Sequence, residues 1–167
     1  MSVAMDMSSQ IDEREELKGE YLHSLRLIER LHRLLLDVIK DEFERLNMSE
    51  INAVQALLLY NIGDSELTAG ELKSRGYYLG SNVSYNLNKL VEMQFIHRKQ
   101  SETDRRSVRV SLTDKGREIC DIVEGLYNRQ LGSIEQVGEL TAERLNLLNT
   151  SLVRLERFWT DQIRYRL

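Results

Sequence analysis

The sequence predicts a mainly α chain of the α+β kind. Long helices stand at both ends, and a small helix-turn-helix region with a two-stranded hairpin lies between them. Three observations predict it. The 167 residues include no proline and only 7% aromatics, which favours uninterrupted helices over a sandwich or barrel. Apolar residues recur at three- and four-residue steps over most of the length, the helical period. The exception is the stretch where Val108, Val110 and Leu112 alternate with Ser107, Arg109 and Ser111, the period-two pattern of a half-buried strand.

Taken in order, residues 1–10 are small and polar and predict a disordered start. Over 12–46, Leu17, Tyr21, Leu25, Ile28, Leu31, Leu35, Val38 and Phe43 recur at steps of three to five with charges between them, an amphipathic helix. Asn47-Met48-Ser49 interrupts it, and Ser49 can cap the next helix. Residues 51–62 are apolar on more than one face and predict the buried core helix, which Gly63-Asp64-Ser65 ends. Glu66-Leu67 suits a minimal strand, and Thr68 can cap a short helix over 69–74. A turn with two glycines and two tyrosines (76–80) leads to a helix over 81–93. There Val83, Leu87, Leu90 and Val91 form one apolar stripe, with Ser81, Asn82, Ser84, Tyr85, Asn88 and Lys89 on the other side. Residues 96–99 and 107–112 form the hairpin arms. Thr113 caps a long helix to about 134, carrying Ile119, Ile122, Val123 and Leu126. Gly138 punctuates, and Thr141 caps a last helix with Leu145, Leu148, Leu152, Leu155 and Trp159 at helical spacing.

The organisation is therefore a disordered 1–10, helical ends at 11–47 and 114–167, and a compact middle at 48–113. The stripes of the two ends have no third partner in the chain, and a lone helix pair buries too little surface to be stable. A second copy is the economical solution, with both ends interlocking about a two-fold axis as a homodimer. The alternative is a monomer whose ends fold back on its own middle.

Charge points to the partner. The whole chain carries −4, but residues 73–117 hold ten basic side chains against four acids, a net of +6, leaving −10 on the remainder. One cationic region on an acidic molecule is the footprint of a polyanion, although charge runs are often only solvated faces. Helix, turn, helix and wing in sequence is the layout of a winged helix-turn-helix module, which makes double-stranded DNA the predicted partner. Its second helix would enter the major groove through Ser81, Asn82, Ser84, Tyr85, Asn88 and Lys89. Asn can bond adenine edges, and Tyr can reach a phosphate or a thymine methyl. A solvated helix face explains the same pattern, and Ser81 serves equally well as a cap. Thr68, Lys73, Arg75 and Lys99 suit phosphate anchoring, which sets register without reading sequence. At the hairpin tip, Arg105 and Arg106 suit the minor groove, with Asp104 holding Arg106 by a charge-assisted hydrogen bond. A local turn-stabilising pair is the alternative.

Other functions find no motif. No apolar run approaches the roughly 18 residues of a membrane span. The N-terminal residues lack the basic start and apolar stretch of a signal peptide. A lone Cys120 excludes an internal disulfide and fits the cytoplasm. His23, His32 and His97 are scattered with no cysteine cluster, so no metal site is predicted. No phosphate-cradling glycine loop or nucleophile elbow occurs, so neither a cofactor nor an enzymatic activity is predicted. The remaining competitors are a winged-helix protein-interaction module without DNA binding and a helical hydrolase or transferase lacking any recognisable motif.

The stretch from Asp104 through Gly116 (DRRSVRVSLTDKG) resembles the wing signature of the MarR family, D-x-R-x-x-x-V-x-L-T-x-x-G. The likeness in layout extends from about residue 21 to 159. Residues 76–87 (GYYLGSNVSYNL) and 52–60 (NAVQALLLY) resemble the LdtR-type branch of alphaproteobacterial regulators. The resemblance implies a homodimeric transcriptional regulator on a pseudo-palindromic operator. It implies Arg106 as the minor-groove arginine with Asp104 as its support. It also implies a small-molecule effector between the dimerisation helices and the winged domain, for which Leu25, Ile28, His32, Tyr60 and the start of the helix after Thr113 are candidate walls, or plain core. The glycine- and tyrosine-bearing lead-in to the recognition helix departs from the family, so base preference does not carry over. The reactive first-helix cysteine of redox-sensing members is absent, and Cys120, beside Ile119, reads as a small buried hydrophobe.

Overall fold

Ten residues with almost no polar face build the centre of this protein. They are helix α2 (Ala53–Ile62), whose Ala56, Leu58, Leu59 and Ile62 are all buried. A helix that is apolar all round must be covered on every side. The remaining elements are helix α1 (Ser2–Arg45), strand β1 (Leu67–Thr68), helices α3 (Ala69–Ser74) and α4 (Gly80–Glu92), strands β2 (Ile96–Gln100) and β3 (Val108–Leu112), and helices α5 (Asp114–Ile134) and α6 (Ala142–Tyr165). The computed structural model describes residues 2–74, 80–100, 108–134, 136–137 and 139–165; the side chains of 2–11, 69, 73–74 and 80–83 lie outside that description. Gly138, the predicted punctuation before α6, falls outside it too.

The chain forms two compact units, Met1–Val123 and Glu124–Leu167. The first takes in α1 and the early part of α5 with the middle region, where the sequence pattern divides the chain at 47 and 113. In that unit the C-terminal end of α1 contributes Ile39 and Phe43 to the core, while Leu17 near its other end is 71% exposed. α1 begins at Ser2 rather than after a disordered start. Its first residues are polar, but they contain no glycine or proline, and Ala4, Met5, Met7 and Gln10 are good helix formers.

α2 starts from Asn52, not from the predicted Ser49. The Asn52 side chain accepts from the Gln55 amide at 2.9 Å, and the Gln55 side chain accepts from the Asn52 amide at 3.2 Å. This reciprocal box satisfies two orphan donors and outcompetes a lone serine three residues earlier. Gly63 closes the helix at φ +53, with its N–H donating to the Leu59 carbonyl.

The sheet has the order β1-β3-β2, all antiparallel, with β3 central. Leu67 faces Val110, and Ile96 faces Leu112, so one surface of the sheet is apolar and buried. The other surface carries His97, Lys99, Arg109 and Ser111. α5 adds Ile119 and Val123 to the core. Cys120 is half-buried rather than buried, because it lies off the stripe that Ile119 and Val123 share.

In the second unit, Thr141 caps α6 by accepting from the Arg144 amide at 3.3 Å. No residue of α6 is buried. Leu148 and Leu152, in the predicted stripe, are 50% and 38% exposed. Among the described residues no helix is long and apolar enough to cross a membrane.

Candidate nucleic-acid interface

α3 is held at its start by a second reciprocal cap. The Thr68 amide donates to Glu71 Oε2 at 2.6 Å, and the Glu71 amide donates to Thr68 Oγ1 at 3.1 Å. Thr68 thus caps as expected, and a hydroxyl that accepts can still donate outward.

α4 is amphipathic by sequence. Leu87 and Leu90 are buried, Asn86 and Val91 are half-buried, and Ser84, Tyr85 and Asn88 are exposed. Tyr85 is 62% exposed, which is unusual for a large ring without a partner surface. The helix begins at Gly80, which puts Ser81 in its first turn rather than at the cap. Lys89 is half-buried and its ammonium donates to Glu92 Oε2 at 2.8 Å; that hydrogen bond raises its pKa above the ordinary lysine value. Lys89 is therefore presented as half of an ion pair and not as a lone cation.

The wing packs beside α4. Lys99 on β2 is exposed and directly opposite Arg109 on β3. Like charges facing each other across a ladder oppose strand pairing. Arg98, which the sequence pattern enters only in the charge count, also lies at the candidate interface. Its Nη1 donates to Asn88 Oδ1 on α4 at 3.3 Å, joining the helix to the sheet. Beside this bond lies a cavity of about 140 Å³ lined by Ser84, Leu87, Val91 and Val110 among others.

The base of the wing is bolted to α5. Thr113 Oγ1 donates to the Gln94 carbonyl at 2.8 Å and accepts from the Gly116 amide at 3.0 Å. Lys115 Nζ donates to Glu50 at 3.0 Å and to the Met93 carbonyl at 3.3 Å, and sits 4.2 Å from the centre of the Phe95 ring. Gly116 has no room for a side chain: a Cβ there would drive into the Phe95 carbonyl oxygen. The L-T-x-x-G end of the wing signature thus has a physical content, a cap and a close backbone approach.

The comparisons with known proteins agree with this geometry. The winged helix DNA-binding domain family matches residues 51–116. The chain is 36% identical over 147 residues to the exopolysaccharide II synthesis transcriptional activator ExpG of Rhizobium meliloti (strain 1021), covering 87% of this chain and 74% of ExpG. It shares its fold with Streptococcus pneumoniae FabT in complex with DNA (TM-score 0.64, 21% identity, 84% of this chain and 98% of FabT). It also shares it with a mutant MarR of E. coli complexed with operator DNA (TM-score 0.63, 24% identity, 82% and 96%). The chain belongs to the MarR family of winged-helix transcriptional regulators. As a MarR-family protein it is a regulator and not an enzyme. The narrower LdtR-type likeness rests on the residues quoted for it above.

The remaining sites predicted for this MarR-family chain divide in two. Lys73 lies on α3 and Ser81 and Asn82 on α4, but their side chains are outside the described residues, as are Arg75 and the whole tip with Asp104, Arg105 and Arg106. Of the four predicted effector-pocket residues, one, His32, lines a groove in the first unit. This open groove of about 770 Å³ runs between the C-terminal half of α1, the α1–α2 turn and α4. His32 lines it, with Leu36, Phe43, Met48, Tyr85 and Asn86 among the others. Leu25, Ile28 and Tyr60 are half-buried elsewhere on α1 and α2, and the start of α5 does not line the groove.

Proposed function

We propose that this MarR-family regulator is a cytoplasmic protein that binds a pseudo-palindromic operator in double-stranded DNA as a homodimer. The observation that carries the reading is the exposed polar face of α4, with Ser84, Tyr85 and Asn88 together, flanked by Arg98 and Lys99 of the hairpin. Such a face suits base edges in the major groove, and the cations suit the phosphates beside it. Ser81, Asn82 and Lys89 extend the face along α4. Thr68, Lys73, Arg75 and Lys99 anchor phosphates, and Arg105 and Arg106, with Asp104 as support, enter the flanking minor groove. The DNA-bound state of FabT and of the E. coli MarR mutant supports this use of the shared fold.

The dimer reading rests on α6, none of whose residues is buried and whose Leu148 and Leu152 are exposed. Two α4 helices would then enter successive major grooves about one helical turn, roughly 10 bp, apart. A small-molecule effector in the α1–α4 groove would touch Tyr85 and Asn86 on the DNA-reading helix. It would change DNA affinity only by preferring one arrangement of the winged region over another. ExpG is a transcriptional activator, so activation stands beside repression as the outcome of binding.

The test is a salt titration of duplex binding by the purified chain, with selected oligonucleotides to recover the operator. Affinity should fall steeply as salt rises, through counterion release, and the recovered site should be two-fold symmetric. Arg106→Ala should weaken binding while leaving the dimer intact. Failure to bind any duplex at low ionic strength would overturn the reading and favour a protein-interaction module instead.

A further inference from the structure

We propose that Asn88 and Arg98 together form a donor-only reader of guanine, in which Arg98 both orients the Asn88 amide and donates to the base. The inference deepens the DNA-binding reading and rests on it. Both side chains are exposed, on different elements, and joined by the Arg98 Nη1 to Asn88 Oδ1 hydrogen bond of 3.3 Å. They stand next to Ser84 at the junction of α4 with the sheet.

An asparagine that is free to turn reads adenine best, because its carbonyl accepts from the adenine N6 amino group while its own amino group donates to N7. Here the carbonyl end is turned to a guanidinium. An adenine amino group approaching that oxygen would meet the N–H groups of Arg98, donor against donor. The Asn88 amino group and the remaining N–H groups of Arg98 instead offer two donors side by side. Guanine presents two acceptors, O6 and N7, on one edge of the major groove, and it is the base whose edge matches that pair. The charge on Arg98 strengthens its share of the contact. Asn88 alone suggests adenine; the pair reverses that expectation.

The experiment compares base preference in a selected library of duplexes for the full-length dimer and four variants, with thermal melting of each protein as a check on folding. The unaltered protein should require guanine at one position of each half-site. Asn88→Ala should relax that position while keeping the rest of the operator. Arg98→Met should release the Asn88 amide and move preference at the same position toward adenine by about tenfold, leaving other positions unchanged. Arg98→Lys, which still donates to the amide oxygen, should retain guanine. The control Lys99→Met removes a neighbouring cation and should weaken all sequences alike, without touching base preference.

If Arg98→Met weakens every duplex uniformly, Arg98 is a phosphate contact and the inference fails while the DNA-binding reading stands. The same conclusion follows if base preference is unaltered by Arg98→Met. If the unaltered protein binds no duplex, both fail together.

Discussion

Helices α2 and α6 both carry a run of leucines, and those leucines end in opposite conditions. In α2 every apolar side chain that points inward finds cover, and both termini are capped by named partners. In α6 the start is capped, but Leu148 and Leu152 are exposed and Ile163 is 81% exposed. Under the proposed homodimer, the contrast separates a region whose fold is complete in one copy from a region that would supply half of an interface. It also separates two kinds of stability. Damage to the first should be independent of protein concentration, and damage to the second should be relieved by raising it.

The largest effect should come from α6. Leu148→Asp with Leu152→Asp places two charges on adjacent turns of the stripe. Burying each leucine contributes about 1.5–3 kcal/mol, and two-fold symmetry repeats the loss in the second copy. Sedimentation should show the dimer constant weakened by about a thousandfold or more. An unaltered dimer would place the interface elsewhere.

Next comes Gly116→Ala. Alanine is the better helix former by about 1 kcal/mol, but its methyl would overlap the Phe95 carbonyl oxygen, and overpacking of this kind costs about 1–3 kcal/mol or more. The backbone on both sides is pinned by Thr113 and Lys115, so the overlap has little way to relax. Denaturant unfolding should show a net loss of about 2 kcal/mol at every protein concentration. A neutral or stabilised variant would mean that α5 can move away from the sheet. Asn52→Ala should follow at about 1 kcal/mol, again independent of concentration, because it removes the side-chain half of the α2 cap and leaves the Gln55 amide without that acceptor.

These differences mirror what could be read from the sequence alone. The hairpin was legible almost to the residue, because Val108, Val110 and Leu112 alternate and Thr113 follows at once with a cap. The α2 boundary was legible in principle: Asn52 with Gln55 three residues later is a capping-box spacing, and it outranks a lone Ser49. The helical start of α1 was obscured because small polar residues suit both a loop and a solvated helix. Arg98 was hidden for a different reason. Its partner is decided by the pairing of Arg98 with Val110, which turns that side chain toward α4, and strand register is a tertiary fact. The groove is likewise set by how α1 and α4 approach each other, so of four proposed walls only His32 lies on it.

The smallest prediction sharpens the comparison on the surface of the winged region. Lys89 and Glu92 lie three residues apart on α4, and the carboxylate both holds the ammonium and cancels its charge. Glu92→Gln removes the cancellation while keeping the length of the side chain. Because the pair lies at the surface, with Glu92 exposed and Lys89 half-buried, folding stability should barely change. DNA affinity should rise at low salt, and the slope of log affinity against log salt should steepen by about 0.9 for each phosphate that Lys89 then engages. An unaltered slope would mean that Lys89 faces no phosphate and that the groove-facing side of α4 stops at Asn88. A steeper slope with unchanged base preference would instead class Lys89 with the anchoring residues, leaving sequence discrimination to the side chains nearer Ser84.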